Sequence, residues 1–277
     1  MGPLTQADAD QGEPPWQPVA PSPIPASPNW QTPHALTDAE ILELVTSWGQ
    51  AARRALEAGF EMLEIHGAHG YLIHQFLSPR SNQRQDGWGG TPANRQRFAL
   101  EVAKSVRRHW PDHLPLAWRL SMTDLDDGTL PLDDMVEFIK RLRDVGVDML
   151  DCSSGGGIEA HPTEGLRIPR GLAFRASDAR ELRTRTGIAI IGVGFVIRPE
   201  VAQRHVSTGC ADLVAIGREA LFNPNWPLHA QHVLSPGHDY GLWPLQHRWH
   251  LSKRGAMADE ERQGEQRPAA EDEQPRP

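Results

Sequence analysis

From residue 37 to about residue 234 the chain takes short apolar runs and amphipathic segments in turn, and this alternation restricts the fold more than any single motif does. Thr37-Asp38-Ala39-Glu40 has the form of a capping box, in which Thr37 accepts from a backbone N–H and Glu40 reaches back. Behind it Ile41, Leu44, Trp48, Ala51, Ala55 and Leu56 fall near one helical face, and Gly59 ends the pattern. The apolar run at 60–66 reads as a strand, and four more are expected at Leu114–Leu120, Val147–Cys152, Ile188–Val193 and Ala211–Gly217. Helical periodicity predicts helices over about 94–109, 131–144, 175–185, 199–207 and 224–234. Strands and helices alternating at this spacing fold as βα units around a parallel sheet.

The flanks read differently. Nine prolines fall within the first 33 positions, so residues 1–36 are expected to form an extended loop rather than a helix or a strand. Trp16 and Trp30 argue that this loop is draped over a domain, since solvated linkers rarely carry tryptophan. Residues 251–277 are expected to be a charged, disordered tail, with 12 charges among the last 25 positions and no apolar period. A net charge of −8 weighs against a nucleic-acid partner. Cys152 and Cys210 fit neither CxxC nor zinc spacing, which makes a reducing, cytoplasmic compartment the default. With no apolar run of 18 residues and no charged-then-apolar leader, neither a membrane span nor a signal peptide is expected.

Chemistry concentrates between Leu63 and Phe98. The first strand breaks into His66, His69 and Tyr71, with Gly67 and Gly70 between them, and then opens into a long polar loop, the form of an active-site edge. Three readings of the histidine pair stand side by side: a metal site, a hydrogen-bonding substrate clamp, or structural residues. A metal would need a third ligand and carboxylates behind it, and no other His/Cys cluster has ligand spacing. The other strand ends carry Arg119, then Asp151-Cys152-Ser153-Ser154-Gly155-Gly156-Gly157, then Gly192-Val193-Gly194, then Gly217-Arg218. Arg119 lies in an apolar run, so it either pairs with a structural carboxylate or faces a ligand. In a (β/α) barrel the C-terminal strand ends hold the functional groups, and phosphate commonly sits after the last two strands. Five successive polar, anion-friendly strand ends point to a phosphorylated cofactor over a barrel mouth.

The run HGAHGYLIHQFLSPRSNQRQDGWGGTPANRQRF closely resembles the signature of the old yellow enzyme family of NAD(P)H:flavin oxidoreductases, in its subgroup of bacterial ene and xenobiotic reductases. Pro-Leu-Ala-Trp-Arg119, Asp151-Cys-Ser-Ser-Gly155, Val193-Gly194 and Ile216-Gly217-Arg218 follow in the family's order. The resemblance implies a TIM (β/α)8 barrel that binds FMN, takes hydride from NADPH or NADH, and reduces small activated alkenes. His66 and His69 would bind the substrate's carbonyl or nitro oxygen, and Tyr71 would deliver a proton. Arg119 would face the flavin's pyrimidine side, Ser153 would lie near the cofactor, and Gly194, Gly217 and Arg218 would hold the phosphate. The five strands correspond to about strands 4–8, so the resemblance predicts an incomplete barrel over residues 37–250, and a homo-oligomer is compatible with it. At Pro244-Leu245-Gln246-His247-Arg248-Trp249 the chain departs from the family's Gln-Tyr-x-Arg pattern, so no intersubunit arginine is assigned. Two alternatives accompany the ene-reductase reading: a non-catalytic barrel fragment with little or no FMN, and a metal-dependent TIM-barrel hydrolase using His66 and His69.

Overall fold

The fold is that of a computed structural model, described over residues 6–13, 16–27, 30–122, 130–153, 176–194, 196–235 and 240–265. The chain begins with a short helix α1 (Gln6–Asp10) and two two-residue strands, β1 (Val19–Ala20) and β2 (His34–Ala35), which pair in parallel. There follow α2 (Asp38–Glu57), β3 (Leu63–Gly67), α3 (Leu72–Leu77), α4 (Pro92–Arg107), β4 (Leu116–Ser121), α5 (Leu132–Asp144) and β5 (Met149–Ser153). Then come α6 (Ala176–Thr186), β6 (Ala189–Gly192), α7 (Pro199–Ser207), β7 (Leu213–Val214), α8 (Arg218–Phe222), α9 (Trp226–Leu234) and α10 (Leu245–Glu265). Strands β3 to β7 form one parallel sheet in sequence order, open at both sides among the described residues, which is five strands of a TIM-type barrel.

Alternation along each strand divides the sheet into two faces. The convex face carries Ile65, Leu116, Trp118, Leu120, Leu150, Cys152 and Ile190, all buried in one core with residues of the flanking helices, such as Phe98, Val102, Phe138 and Ile139. Trp118 packs edge-on against Phe138, with ring centroids 6.2 Å apart. Gly67 is required by that packing, because a Cβ there would lie 2.6 Å from Trp118 Nε1. Each fully buried leucine, isoleucine or phenylalanine contributes about 1.5–3 kcal/mol relative to exposure, so this face holds the unit together.

The concave face is a series of rows set by the register. His66, Arg119, Asp151, Ile191 and Leu213 are successive partners across all five strands. In the next row toward the C-terminal ends, Ser121 pairs with Ser153. In a closed barrel these side chains would fill the interior. Here Glu64 and His66 on the outermost strand β3 are exposed, and Leu213 on β7 is 50% exposed.

Thr37 caps α2 as expected, accepting from the Glu40 N–H at 3.3 Å while its own N–H donates to the Glu40 carboxylate at 2.7 Å. Hydrogen bonds from the Thr37 N–H, the His34 ring and the Thr37 hydroxyl hold the Glu40 carboxyl at a pKa of about 2.

Elsewhere the structure corrects the sequence reading. Residues 6–10 are helical despite lying in the proline-rich segment, because positions 4–13 contain no proline. Trp16 and Trp30 are 80% and 41% exposed, so they do not anchor that segment. Buried Ala20, Ser22 and Leu36 anchor it together with hydrogen bonds, among them the Gln83 N–H to Ser22 Oγ at 2.9 Å. A helix, α3, stands where a polar loop was expected, since Ile73, Phe76 and Leu77 give that stretch a buried helical face. The last strand is two residues long instead of seven, as only Leu213 and Val214 pair with β6. Helix α10 runs to Glu265 where a disordered tail was expected from 251, because residues 245–263 contain no proline and are rich in Leu, Gln, Arg, Lys, Ala and Glu. Ser154 to Gly157, the rest of the expected tail, and residues 1–5, 14–15 and 28–29 of the expected loop lie outside the described residues.

Candidate active site

The site is built at the C-terminal ends of β3, β4 and β5. Just past the end of β3 the chain turns through His69, at φ 59°, and Gly70, at φ 76°. A left-handed histidine costs about 1–3 kcal/mol, so surrounding contacts must hold it. Several do. The His69 N–H donates to Ser121 Oγ at 2.9 Å, and His69 Nε2 lies 2.6 Å from Ser153 Oγ. The histidine thus bridges the paired serines at the ends of β4 and β5.

Around it the rings gather. His66 lies 5.2 Å from His69 and 5.2 Å from Tyr71, centroid to centroid. Tyr71 is 63% exposed at the lip of the mouth. Both histidines are driven toward the neutral form: burial, then the neighbouring Arg119 guanidinium, lowers the His66 pKa and brings that of His69 down to about 4. At neutral pH the mouth therefore presents uncharged imidazoles, able to polarise an oxygen without protonating it outright.

Arg119 has the carboxylate partner that its apolar surroundings called for: its Nε lies 3.6 Å from Asp151 Oδ2 on the next strand. That separation is an ion-pair distance without a hydrogen bond, and among the described residues Arg119 Nε and Asp151 Oδ1 are both buried with no hydrogen-bond partner. Burial pushes Asp151 up to about 7, with the nearby Glu64 carboxyl adding to the shift and Arg119 opposing it. Partial loss of solvent around its carboxyl likewise raises Glu64, against the pull of Arg119. The cluster Glu64, Arg119 and Asp151 thus carries a cation with polar capacity unspent, beside two carboxyls reluctant to ionise.

The remaining expected site residues lie farther along the sheet. Gly194, at φ 139°, follows the end of β6, and Gly217 precedes α8, which begins with Arg218. Strands β6 and β7 are neighbours, so these glycines stand at adjacent strand ends. Among the described residues, a Cβ at Gly217 would meet nothing within 4 Å. The structure therefore groups His66, His69, Tyr71, Arg119 and Ser153 at one side of the mouth and Gly194, Gly217 and Arg218 at the other. Sequence reasoning missed Ser121 and the part that Glu64 takes beside Asp151. Strand alternation from His66 and Ser153 would have put both on the concave face.

The long loop is a structural device. Asn82 Nδ2 donates to the carbonyls of Phe76 and Trp88, at 2.8 Å each. Arg84 donates to the carbonyls of Pro21 at 3.1 Å and Leu36 at 2.6 Å and forks onto Asp86, tying the loop to the N-terminal segment. Arg95 reaches the carbonyls of Leu77 and Gly90, and the Arg97 guanidinium lies 4.6 Å from the centroid of the Trp88 ring. Much of the motif thus shapes the rim on which His69 and Tyr71 stand.

Residues 5–236 match the family model of the NADH:flavin oxidoreductase / NADH oxidase family. An NADPH dehydrogenase of Geobacillus sp. (strain WCH70) is 42% identical over 212 residues, 76% of this chain and 60% of that protein. Among solved structures, a 2-naphthoyl-CoA reductase in complex with 2-naphthoyl-CoA superposes with a TM-score of 0.69 at 27% identity, over 76% of this chain and 32% of that one. Morphinone reductase in complex with tetrahydroNAD gives 0.63 at 28% identity, over 80% of this chain and 63% of that one. The chain belongs to the NADH:flavin oxidoreductase / NADH oxidase family, the old yellow enzyme type. It spans about 60% of the length of curated relatives such as the Geobacillus protein. Family membership sets aside the metal-dependent hydrolase reading, and among the described residues no group of three or more His, Cys, Asp or Glu is placed to hold a metal. No helix among the described residues is long and apolar enough to cross a membrane.

Proposed function

We propose that this chain carries the flavin-facing and substrate-facing side of an FMN-dependent NAD(P)H oxidoreductase that reduces activated alkenes, enones and nitro compounds among them. The observation that carries the reading is the cluster of two neutral histidines and an exposed tyrosine, His66, His69 and Tyr71, beside the partly buried guanidinium of Arg119. The residues suit FMN: the Arg119 side chain is 29% exposed and offers its outer N–H groups to the polar edge of an isoalloxazine, and Gly194, Gly217 and Arg218 stand where a phosphate is held in such barrels. Bound FMN supplies the hydride chemistry, recharged by NADPH or NADH.

Everything else falls to side chains. With Ser153 Oγ donating to His69 Nε2, the His69 proton sits on Nδ1, free for a carbonyl or nitro oxygen of the substrate. His66 gives a second N–H, and the two stabilise the negative charge that develops on that oxygen. Tyr71 supplies the proton to carbon, as a general acid within reach of bulk solvent for reprotonation.

The test is the visible spectrum of the purified 277-residue chain, with and without added FMN, followed by NADPH oxidation dependent on an enone. A flavin band that survives desalting, with enone-dependent turnover, supports the proposal. A colourless chain that takes up no FMN favours the second reading, a barrel fragment without catalysis. That reading draws on the open concave face, where Glu64 and His66 are exposed.

A further inference from the structure

We propose that His74 and Gln75 are positioning residues, which aim His69 and Tyr71 by clamping the glycine between them. The inference rests on the reading of His69 and Tyr71 as substrate-facing groups. Two peptide planes meet at Gly70, one shared with His69 and the other with Tyr71. The first carries the Gly70 N–H, which donates to His74 Nδ1 at 2.9 Å. The second carries the Gly70 carbonyl, which accepts from Gln75 Nε2 at 2.8 Å. Both side chains come from α3, the helix into which these planes lead, so the helix reaches back and fixes the turn that starts it.

The clamp acts where the backbone needs it. His69 and Gly70 are successive left-handed residues, and for His69 that conformation is unfavourable on its own. With the 69–70 plane fixed, rotation about the His69 Cα–C bond is fixed too, and the imidazole stays on Ser153. With the 70–71 plane fixed, Tyr71 enters α3 with its ring near His66. His74 is 1% exposed, and its Nδ1 accepts the Gly70 N–H. A protonated ring would have no acceptor to offer. Neither His74 nor Gln75 is assigned a contact with substrate, so their effect passes through the turn.

The experiment uses the full 277-residue chain without flavin or substrate, comparing wild type with His74→Leu, His74→Asn and Gln75→Met. Two signals are read by NMR: hydrogen exchange of the Gly70 amide, and titration of the His69 ring. Arg119 on β4, His66 on β3 and His74 on α3 are the cationic and titratable groups that face that ring. In wild type His69 should stay neutral down to about pH 4. His74→Leu should speed Gly70 exchange by about tenfold and move the His69 titration up toward the ordinary histidine range. His74→Asn, whose amide oxygen can accept in place of Nδ1, should restore both. Gln75→Met should shift His69 in the same direction, and it decides the matter if His74→Leu does not fold. Unchanged His69 titration in the folded variants overturns the proposal, as does an Asn variant no better than Leu. Since neither signal needs flavin or turnover, failure of the flavoenzyme reading would show separately, as a chain that takes up no FMN.

Discussion

His69 Nε2 and Ser153 Oγ lie 2.6 Å apart, a single hydrogen bond that joins the turn after β3 to the end of β5 across the intervening strand. Ser153→Ala should therefore loosen the mouth more than it loosens the fold. Loss of one half-buried hydrogen bond predicts a drop of about 1 kcal/mol in unfolding free energy by urea titration. The affinity for a phenolic substrate analogue should fall further than the affinity for FMN, because the His69 ring is no longer held by Ser153.

The two ends of this site pull stability in opposite directions with pH. His69 titrates near pH 4 in the folded chain against an ordinary value of 6.5, so the unfolded chain binds the extra proton between those values. Its contribution is full above about pH 6.5 and is lost as the pH falls toward 4. With the ring half exposed, solvent screening reduces that to about 1 kcal/mol. Asp151, pushed up from 3.8 to about 7, works the other way: its folded form keeps a proton that the unfolded chain has released. That contribution is full below about pH 3.8 and is lost as the pH rises through 7. His69→Gln should flatten the acid limb of the stability profile. Asp151→Asn should gain on wild type between pH 5 and pH 8, as measured by urea midpoints at each pH, and a constant difference between the two would contradict the assignment.

Arg84 anchors the N-terminal segment by donating to two backbone carbonyls at once, those of Pro21 and Leu36. Arg84→Ala should cost about 2–3 kcal/mol, since the removed bonds are charge-assisted and leave carbonyls unpaired. Arg84→Lys should rescue little, because an ammonium cannot reproduce the fork onto Asp86 while reaching both carbonyls. Limited proteolysis should locate the damage, with new cuts between residues 16 and 36 ahead of any in α4.

Tyr71→Phe separates the two half-reactions of the proposed enzyme. Proton delivery by a placed acid is worth about 10²–10⁴-fold, so alkene reduction should slow by roughly that factor. Flavin reduction by NADPH should change little. Stopped-flow traces of each half-reaction give the comparison, and equal slowing of both would remove Tyr71 from the proton path. In the same assays His66→Ala should weaken the substrate analogue more than FMN, and Arg218→Ala the reverse.

How much of this was legible beforehand depended on the distance over which each feature is decided. The five strands and their helices were readable because apolar periodicity is local: Leu132, Met135, Ile139 and Leu142 mark α5 without help from elsewhere. The Thr37–Glu40 cap was readable for the same reason. Helix α3 was hidden because six residues between two histidines and a polar loop show too little period to read. The grouping of His66, Arg119 and Asp151 needed the register across three strands, which no single segment specifies. Gly67 read as part of an active-site edge, yet its reason is Trp118, 51 positions away in sequence and on the face turned from the site.

The sheet's two outer strands carry a consequence for anyone handling the protein. Among the described residues, strands β3 and β7 have a hydrogen-bonded neighbour on one side only, so in this 277-residue chain each offers a row of backbone groups along its other side. Near β3 that row is flanked by Phe60, 60% exposed, and Met62, 39% exposed. Such an edge is a template for another chain's backbone, and no proline or lysine blunts it between Phe60 and Gly67. The apparent particle size will therefore follow protein concentration, and dilution series by light scattering belong before any kinetic measurement.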